Sequence, residues 1–585
     1  EISKKVFGLE HPTTAMLLDN LGMLYYDLGQ YEKAEPFLRD NLRLESILIQ
    51  REAPYLAFSD REAYVHSIGY AYEAVFSGNF ENISNKRLAL FSRLNRHGLL
   101  EEIEKRQSLL ESLTGPQQEI SDQLRIINQK VSNIGGDQKQ RQLLEEEKGK
   151  LERKLIRLLP ELKPRIIKIE DIIKKLREMP NESVLVEFQR YEPYYDKEWE
   201  PARYLAIVLD PSKKERDKYD RLSNYKIHVI DLGLAEPLEQ KIKQALIVSE
   251  QDLKDAELKW KEIGELIVQP LANATNGSKT WFVSPDGELN RIPFAALSGP
   301  KGNGLLGEQV RLRLLTTGRE LLDLQNGNEA GSNDSLVVAN PLFNQQKVAL
   351  SNSQQTNSSF ELIPSQRSSA DMDNFRWSPL PFTMQEGLMI SERIDAKLLI
   401  DEDATVQAIM NTNDPKILHI ASHSFYLENQ AKNEKSTNSS VQLPLFAKSE
   451  NPLLRSGIVL AGANQSNIQK QDDGYLTALE VTTLDLSATE MVVISGCLSG
   501  QGDTNNGEGI YGLRRAIAVA GARSSLLSLW KVDDNATAEF MESFYRRLKK
   551  GDGRADALAA TQKEFREHSN LDWRRPAYWA AFQLS

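Results

Sequence analysis

A single cysteine, Cys497, stands in the stretch Met491-Val-Val-Ile-Ser-Gly-Cys497-Leu-Ser-Gly-Gln-Gly502, where an apolar run short enough to be a buried strand gives way to small, flexible residues. Upstream, Ile417-Leu-His-Ile-Ala-Ser-His423 has the same form, a short apolar run ending in an ionisable side chain. If the two runs lie side by side in a parallel sheet, His423 and Cys497 meet at its carboxyl edge, where open α/β sheets place their active sites. A thiolate is the reactive form of cysteine, and a neighbouring imidazole lowers the thiol's pKa from its free value of about 8.5. Cys497 would attack a carbonyl while His423 takes the thiol proton or protonates the leaving amine. Backbone N–H groups at Cys497 and after His423 would hold the oxyanion, and the small residues Gly496, Ser499, Gly500 and Ser424 around both positions suit that role. Cleavage of a peptide bond fits this equipment.

Plainer readings compete. A cysteine at a strand end is often only a small buried hydrophobe. His419, inside its run, reads as a structural histidine. As metal ligands His419 and His423 are a weak pair, because the run is a strand and no Glu or Cys ligand stands nearby. Neither a metal nor a cofactor is expected.

The chain has 585 residues, more than one hydrophobic core usually covers, which predicts about three or four domains. Hydrophobic residues at 40% and charged residues at 26% are ordinary for a globular protein. A formal charge of −11 argues against nucleic acid as the main partner, with a local basic face left open. No apolar run reaches the roughly 18 residues of a membrane span and no signal-peptide pattern opens the chain, so no membrane partner is expected. One cysteine makes no internal disulfide, which fits a reducing, cytoplasmic setting.

The elements that must position the pair follow in order. Residues 7–46 read as a helical hairpin that turns at Gly29-Gln30, with apolar stripes at Leu17, Leu21, Leu24, Tyr25 and Leu28, then Ala34, Leu38 and Leu42. The hairpin resembles one tetratricopeptide repeat. One such repeat does not bury its own face, so the chain, which opens inside the pattern, predicts neighbouring or upstream repeats. Repeat-like helices run to about residue 95, and 96–178 read as a long charged helical arm, either a solvated face or a basic surface for nucleic acid. From about 179 to 330 short β-rich runs and one helix (Leu238–Ile263) predict an α/β half with no assignable catalytic group. Segments Asn326–Ser335 and Asn352–Phe375 read as polar loops, as does Asn429–Ser440. Residues 331–585 alternate strand and helix, with helices at Ile510–Ala520 and Ala536–Lys550 among them, which predicts a mainly parallel sheet covered on both faces.

The motifs Ile417-Leu-His-Ile-Ala-Ser-His423, Pro452-Leu-Leu-Arg-Ser-Gly-Ile-Val-Leu460, Asp473-Gly-Tyr-Leu-Thr-Ala-Leu-Glu480 and Val492-Val-Ile-Ser-Gly-Cys497 occur in that order. Gly507-Glu-Gly-Ile-Tyr-Gly-Leu-Arg-Arg515, Ser528-Leu-Trp-Lys-Val-Asp-Asp534 and Pro576-Ala-Tyr-Trp-Ala-Ala-Phe582 follow them. With the upstream block Ser284-Pro-Asp-Gly-Glu-Leu-Asn-Arg-Ile-Pro-Phe294, they resemble the CHAT domain, a caspase-like cysteine peptidase family related to caspases and separase. The resemblance covers roughly residues 180–585. It implies an α/β caspase–haemoglobinase-like fold behind an all-α helical-repeat region, with 179–330 as a non-catalytic companion half. His423 and Cys497 match the family's catalytic pair. The family usually has Gly where this chain has Ser424, and Ala or a similar small residue where it has Gly496.

By resemblance to separase, Asp534, with Asp533 secondary and Trp530 beside them, would line a P1 pocket for Arg or Lys; alternatively one of the two aspartates caps the helix beginning near Ala536. The expected partners are a protein substrate and a protein activator bound by the repeats. Tetratricopeptide–CHAT proteins look like signalling proteases of bacterial defence and cell differentiation. A catalytically silent scaffold and a nucleic-acid-gated protease are the rival readings, and the polar loops at Asn429–Ser440 and Gln501–Gly507 suggest a latent site.

Overall fold

A computed structural model describes residues 10–56, 58–68, 70–111, 116–133, 138–158, 163–179, 182–195, 198–213, 215–216, 222–324, 334–344, 376–427, 451–465, 473–505 and 509–585. The segments read as loops at 352–375 and 429–440, and most of 326–335, lie outside these residues.

Helices Pro12–Asp27 and Tyr31–Glu52 form the first hairpin, and helices continue to Ile169–Glu178. Between them, Pro116–Asn133 and Gln138–Leu158 pair along their length. This arm is not solvated all round: Ile120, Leu124, Ile127 and Val131 recur at helical spacing on one buried face. Ile127 and Val131 belong to the same apolar cluster as Leu418 and Leu479, so the arm lies against the sheet that carries His423.

Strands β1 (Ser183–Tyr191), β2 (Arg203–Asp210), β3 (Lys226–Leu234), β4 (Thr280–Ser284) and β5 (Arg311–Leu314) form a mixed sheet in the order β3-β2-β1-β4-β5. The helix expected over 238–263 is two, Ala235–Glu250 and Ala256–Ile267, parted by a turn that holds Asp252 in left-handed backbone. Next come β6 (Ser335–Pro341), β7 (Ala396–Asp401) and β8 (Ile417–Ala421), then a small antiparallel sheet of β9 (Ser424–Tyr426), β10 (Ser456–Val459) and β11 (Tyr475–Thr477). Strands β12 (Met491–Ile494), β13 (Ser525–Ser528) and β14 (Phe582–Leu584) complete a six-stranded sheet in the order β7-β6-β8-β12-β13-β14. Every pair in it is parallel except β13 with β14. Where one helix was expected over 510–520, a strand (Gly509–Gly512) pairs with Gly502–Asn505 and the helix starts at Leu513.

Alternation along each strand sorts side chains between two faces. Val186, Val337, Val493 and Leu526 point into one core shared by the two large sheets, with Trp260, Trp281, Trp530, Phe540 and Phe582. Their neighbours Leu185, Leu205 and Ile207 face the helical region through Leu42, Phe76, Leu94 and Ile172. Val338, Leu418, Val492 and Ile494 face the opposite way, onto Leu479, Leu513 and Ile517.

Buried charges join the regions. Arg93 of helix Ile83–Arg96 donates to Glu187 of β1 at 2.9 Å and to Ser284 Oγ at 2.9 Å. Helix Leu99–Glu111 touches both halves: Lys105 lies 3.8 Å from Glu320, and Glu104 pairs with Arg515 at 2.9 Å.

Candidate active site

The parallel register of β8 and β12 sets Ile417 opposite Met491 and Ile420 opposite Ile494. It runs on past the strands, because Ser495 N–H donates to the Ile420 carbonyl at 3.1 Å. Continued in step, it brings Ser422 level with Gly496 and His423 level with Cys497. The backbones then touch: a Cβ on Gly496 would lie 2.2 Å from the Ser422 carbonyl oxygen, a distance only glycine avoids. Ser424 Oγ donates to the Cys497 carbonyl, and Val459 N–H donates to the His423 carbonyl at 2.8 Å. Both strand ends are thereby fixed to each other and to the small sheet.

Cys497 is a half-buried free thiol whose Sγ lies 4.0 Å from the Val532 carbonyl oxygen. The turn after it is tight. Leu498 takes φ 60°, left-handed backbone that a branched residue seldom adopts. Ser499 Oγ donates to the Ile494 carbonyl at 3.1 Å and accepts from Ser528 N–H at 2.9 Å. Among the described residues the N–H of Cys497 donates to no acceptor, which leaves an oriented donor beside the sulfur. Burial pushes the thiol pKa up; the Val532 contact and the Lys531 ammonium oppose that, while Glu250 and Asp534 add to it.

His423 is packed between two rings, 5.1 Å from Trp377 and 5.4 Å from Phe343 between centroids. Its Nε2 lies 2.9 Å from the Ser378 carbonyl oxygen. A carbonyl only accepts, so Nε2 carries the proton and Nδ1 keeps its lone pair. Burial lowers the imidazole pKa, with the Ser378 bond opposing and Lys531 adding, which keeps the ring a neutral base at pH 7. Trp377 is itself anchored: its indole N–H donates to Tyr475 at 3.0 Å, and its backbone exchanges two 2.8 Å bonds with the Asn464 amide. Among the described residues no hydrogen bond joins His423 to Cys497 directly; the thiol faces Val532 and the protonated ring nitrogen faces Ser378.

The other expected site residues fall out differently. Asp533 is the N-cap of helix Asp534–Lys549, its Oδ1 accepting from Ala536 N–H at 2.8 Å. Asp534 Oδ2 accepts from Phe382 N–H at 2.9 Å, and burial pushes its carboxyl up to about 6. Trp530 is corrected as a pocket wall. It is 0% exposed, stacks on Trp260 and donates its indole N–H to Ala577, because β13 drives straight into the shared core. The companion half, which offers no assignable catalytic group, reaches the site with a bracing residue. Arg291 donates to the Gly502 carbonyl at 2.9 Å and lies over the Tyr426 ring, bracing the segments that follow both Cys497 and His423. Ser378, Trp377 and Phe343 were missed because they border a polar insertion that hides them. Arg291 at least sat in a motif. Among the described residues no group of three or more His, Cys, Asp or Glu side chains is arranged to hold a metal, and no helix is long and apolar enough to cross a membrane.

Over residues 14–46 the chain matches the tetratricopeptide repeat, and over residues 258–585 the CHAT domain. Human tetratricopeptide repeat protein 28 is 26% identical over 311 residues, which cover 51% of this chain and 12% of that protein. The mouse protein of the same name is 26% identical over 308 residues, with the same coverage. The chain therefore spans a small part of the curated relatives it matches. Two crystal structures of the Saccharomyces cerevisiae separase–securin complex align over 95% of this chain and 37% of theirs, at TM-scores of 0.46 and 0.44 and identities of 9% and 10%. With more than half its length matched, and its sheets, helical repeat and paired strand ends arranged as described, the chain belongs to the CHAT domain family, a caspase-like α/β fold behind an N-terminal tetratricopeptide region.

Proposed function

We propose that the chain is a regulated cysteine endopeptidase, cutting specific protein substrates with Cys497 as nucleophile and His423 as base and acid, and switched by a partner protein on its helical repeats. The observation that carries this reading is the bond between His423 Nε2 and the Ser378 carbonyl: with Nε2–H given to that carbonyl, Nδ1 keeps the lone pair a base needs, in a residue that the strand register brings level with Cys497. The thiol proton passes to Nδ1, and the sulfur attacks the scissile carbonyl carbon. The Cys497 N–H steadies the oxyanion, and the imidazolium returns the proton to the leaving amine. Water, deprotonated by His423, then hydrolyses the thioester. Asp534 offers a carboxylate to a basic P1 side chain. The lone thiol suits a reducing, cytoplasmic setting.

The thiol's placement against Val532, with its pKa raised, supports a resting state that a partner must convert. The same observation favours a second reading, a silent scaffold on a peptidase fold. The deciding experiment incubates the protein with a proteome-derived peptide library and detects new peptide ends by mass spectrometry, with Cys497→Ala as control. New ends absent from the control, with Arg or Lys at P1, are expected. Silence in both, with proteins captured on the repeats added and their binding unchanged by alkylation of Cys497, would leave the scaffold.

A further inference from the structure

Three polar side chains that this mechanism does not use lie together beneath the site. Glu386, His419 and Tyr545 are each at most 1% exposed. His419 Nε2 is 3.0 Å from Glu386 Oε1, and His419 Nδ1 is 3.1 Å from the Tyr545 hydroxyl. Burial, then the Glu386 charge, holds the phenol pKa well above its usual value. The hydroxyl therefore keeps its proton, the carboxylate accepts from Nε2–H, and Tyr545 donates to Nδ1. Glu386 Oε2 is buried with no partner among the described residues. An apolar trio would pack here without leaving a buried oxygen unpaired, so stability alone does not account for this choice.

Each of the three residues stands on an element whose end carries the site. His419 is on β8, which delivers His423. Glu386 is on helix Pro381–Ile394, and Ser378, whose carbonyl orients His423, lies just ahead of its first residue. Tyr545 is on helix Asp534–Lys549, whose first residue accepts from Phe382 N–H. The first helix has no slack against the sheet, since a Cβ on Gly387 would lie 2.4 Å from Ala339 Cβ. Its far end is tied by Arg393 to Glu542 at 2.7 Å.

We propose that Glu386, His419 and Tyr545 are positioning residues that lock the Ser378 carbonyl in register with β8 and so set the orientation of the His423 imidazole toward Cys497. This rests on the peptidase reading for the role of His423. Buried hydrogen bonds between side chains of three elements favour one arrangement of those elements, and a misplacement of about 1 Å at a catalytic group costs on the order of 10²-fold in rate.

The test measures alkylation of Cys497 by iodoacetamide against pH in the full chain, for the wild type, His423→Ala, Glu386→Gln and Tyr545→Phe. It reads the coupling of thiol and imidazole whether or not any peptide is cut. Tyr545→Phe keeps the ring and its packing, so it folds even if Glu386→Gln does not. Ile207→Ala, on the face of the companion sheet turned to the helical region, is the control for lost stability. The profiles of both network variants are expected to move toward that of His423→Ala, with alkylation at neutral pH slowed roughly tenfold, about one unit of apparent thiol pKa. Ile207→Ala should overlay the wild type however far its melting temperature falls. Network variants that overlay the wild type while His423→Ala departs from it would overturn this proposal alone. A His423→Ala profile identical to the wild type would show thiol and imidazole uncoupled in the resting chain and overturn this proposal, while the peptide-library experiment decides the peptidase reading separately.

Discussion

Gly496 and Ser424 are where the family's pattern and this chain part, and the contact between the two strand ends explains one of them. With 2.2 Å between an added Cβ and the Ser422 carbonyl, Gly496→Ala must push the histidine strand away from the cysteine strand. We expect it to cost about 1–3 kcal/mol in thermal unfolding and to lower peptide cleavage even where the fold survives. Asp534 makes a prediction with a sign. Its carboxyl is pushed up to about 6, so it is ionised at pH 7.5 and protonated at pH 5. If it holds a basic P1 side chain, the ratio of kcat/KM for Arg over Gln at P1 should fall as pH drops through 6, and Asp534→Asn should give a low, flat ratio. A ratio that falls equally in Asp534→Asn would assign the titration to another group.

At the scale of elements, the strands that end in His423 and Cys497 were legible because each is a short apolar run that stops at small polar residues. The parallel sheet followed from the alternation of strand and helix. What the sequence concealed has physical causes. Strands β9 and β11 have three residues each, too few to show a period. The clamp on His423 is a backbone carbonyl, which any residue supplies, and the arm's buried face is diluted by charges on the other side of each helix. In the first hairpin, Asn41 Nδ2 reaches Glu45 at 3.0 Å, and burial pushes the Glu45 carboxyl up to about 7. Its folded pKa exceeds its unfolded value near 4.5, so its contribution is full below pH 4.5 and is lost as pH rises through about 7. Local unfolding of residues 12–52, read by hydrogen exchange, should become easier between pH 5 and pH 8 by on the order of 3 kcal/mol. Glu45→Gln should remove most of that slope and leave the part that belongs to Asp19, whose carboxyl burial pushes up to about 6.

At the scale of the molecule, helix Leu99–Glu111 is one of the pieces through which the helical region meets the half that carries His423 and Cys497. Glu104→Gln takes from Arg515, which is 1% exposed, the carboxylate that its guanidinium bonds, and leaves that buried charge to weaker support such as the nearby Glu101 charge and the Tyr511 ring. A loss of about 3–5 kcal/mol is expected in thermal unfolding, and restoring the pair in reversed order, Glu104→Arg with Arg515→Glu, should recover part of it.

The core shared by the two large sheets also bears on how this protein can be taken apart. The segment that carries the family signature begins at residue 258, inside helix Ala256–Ile267. A fragment cut there keeps His423 and Cys497 but removes β1, the strand that pairs with β4. It also strips Val186, Phe188 and Tyr204 from the core that Trp530 and Phe540 complete. The CHAT segment is thus no cassette to be lifted onto another protein at its family boundary. A working transplant would have to start before Ser183 and carry the companion sheet with it.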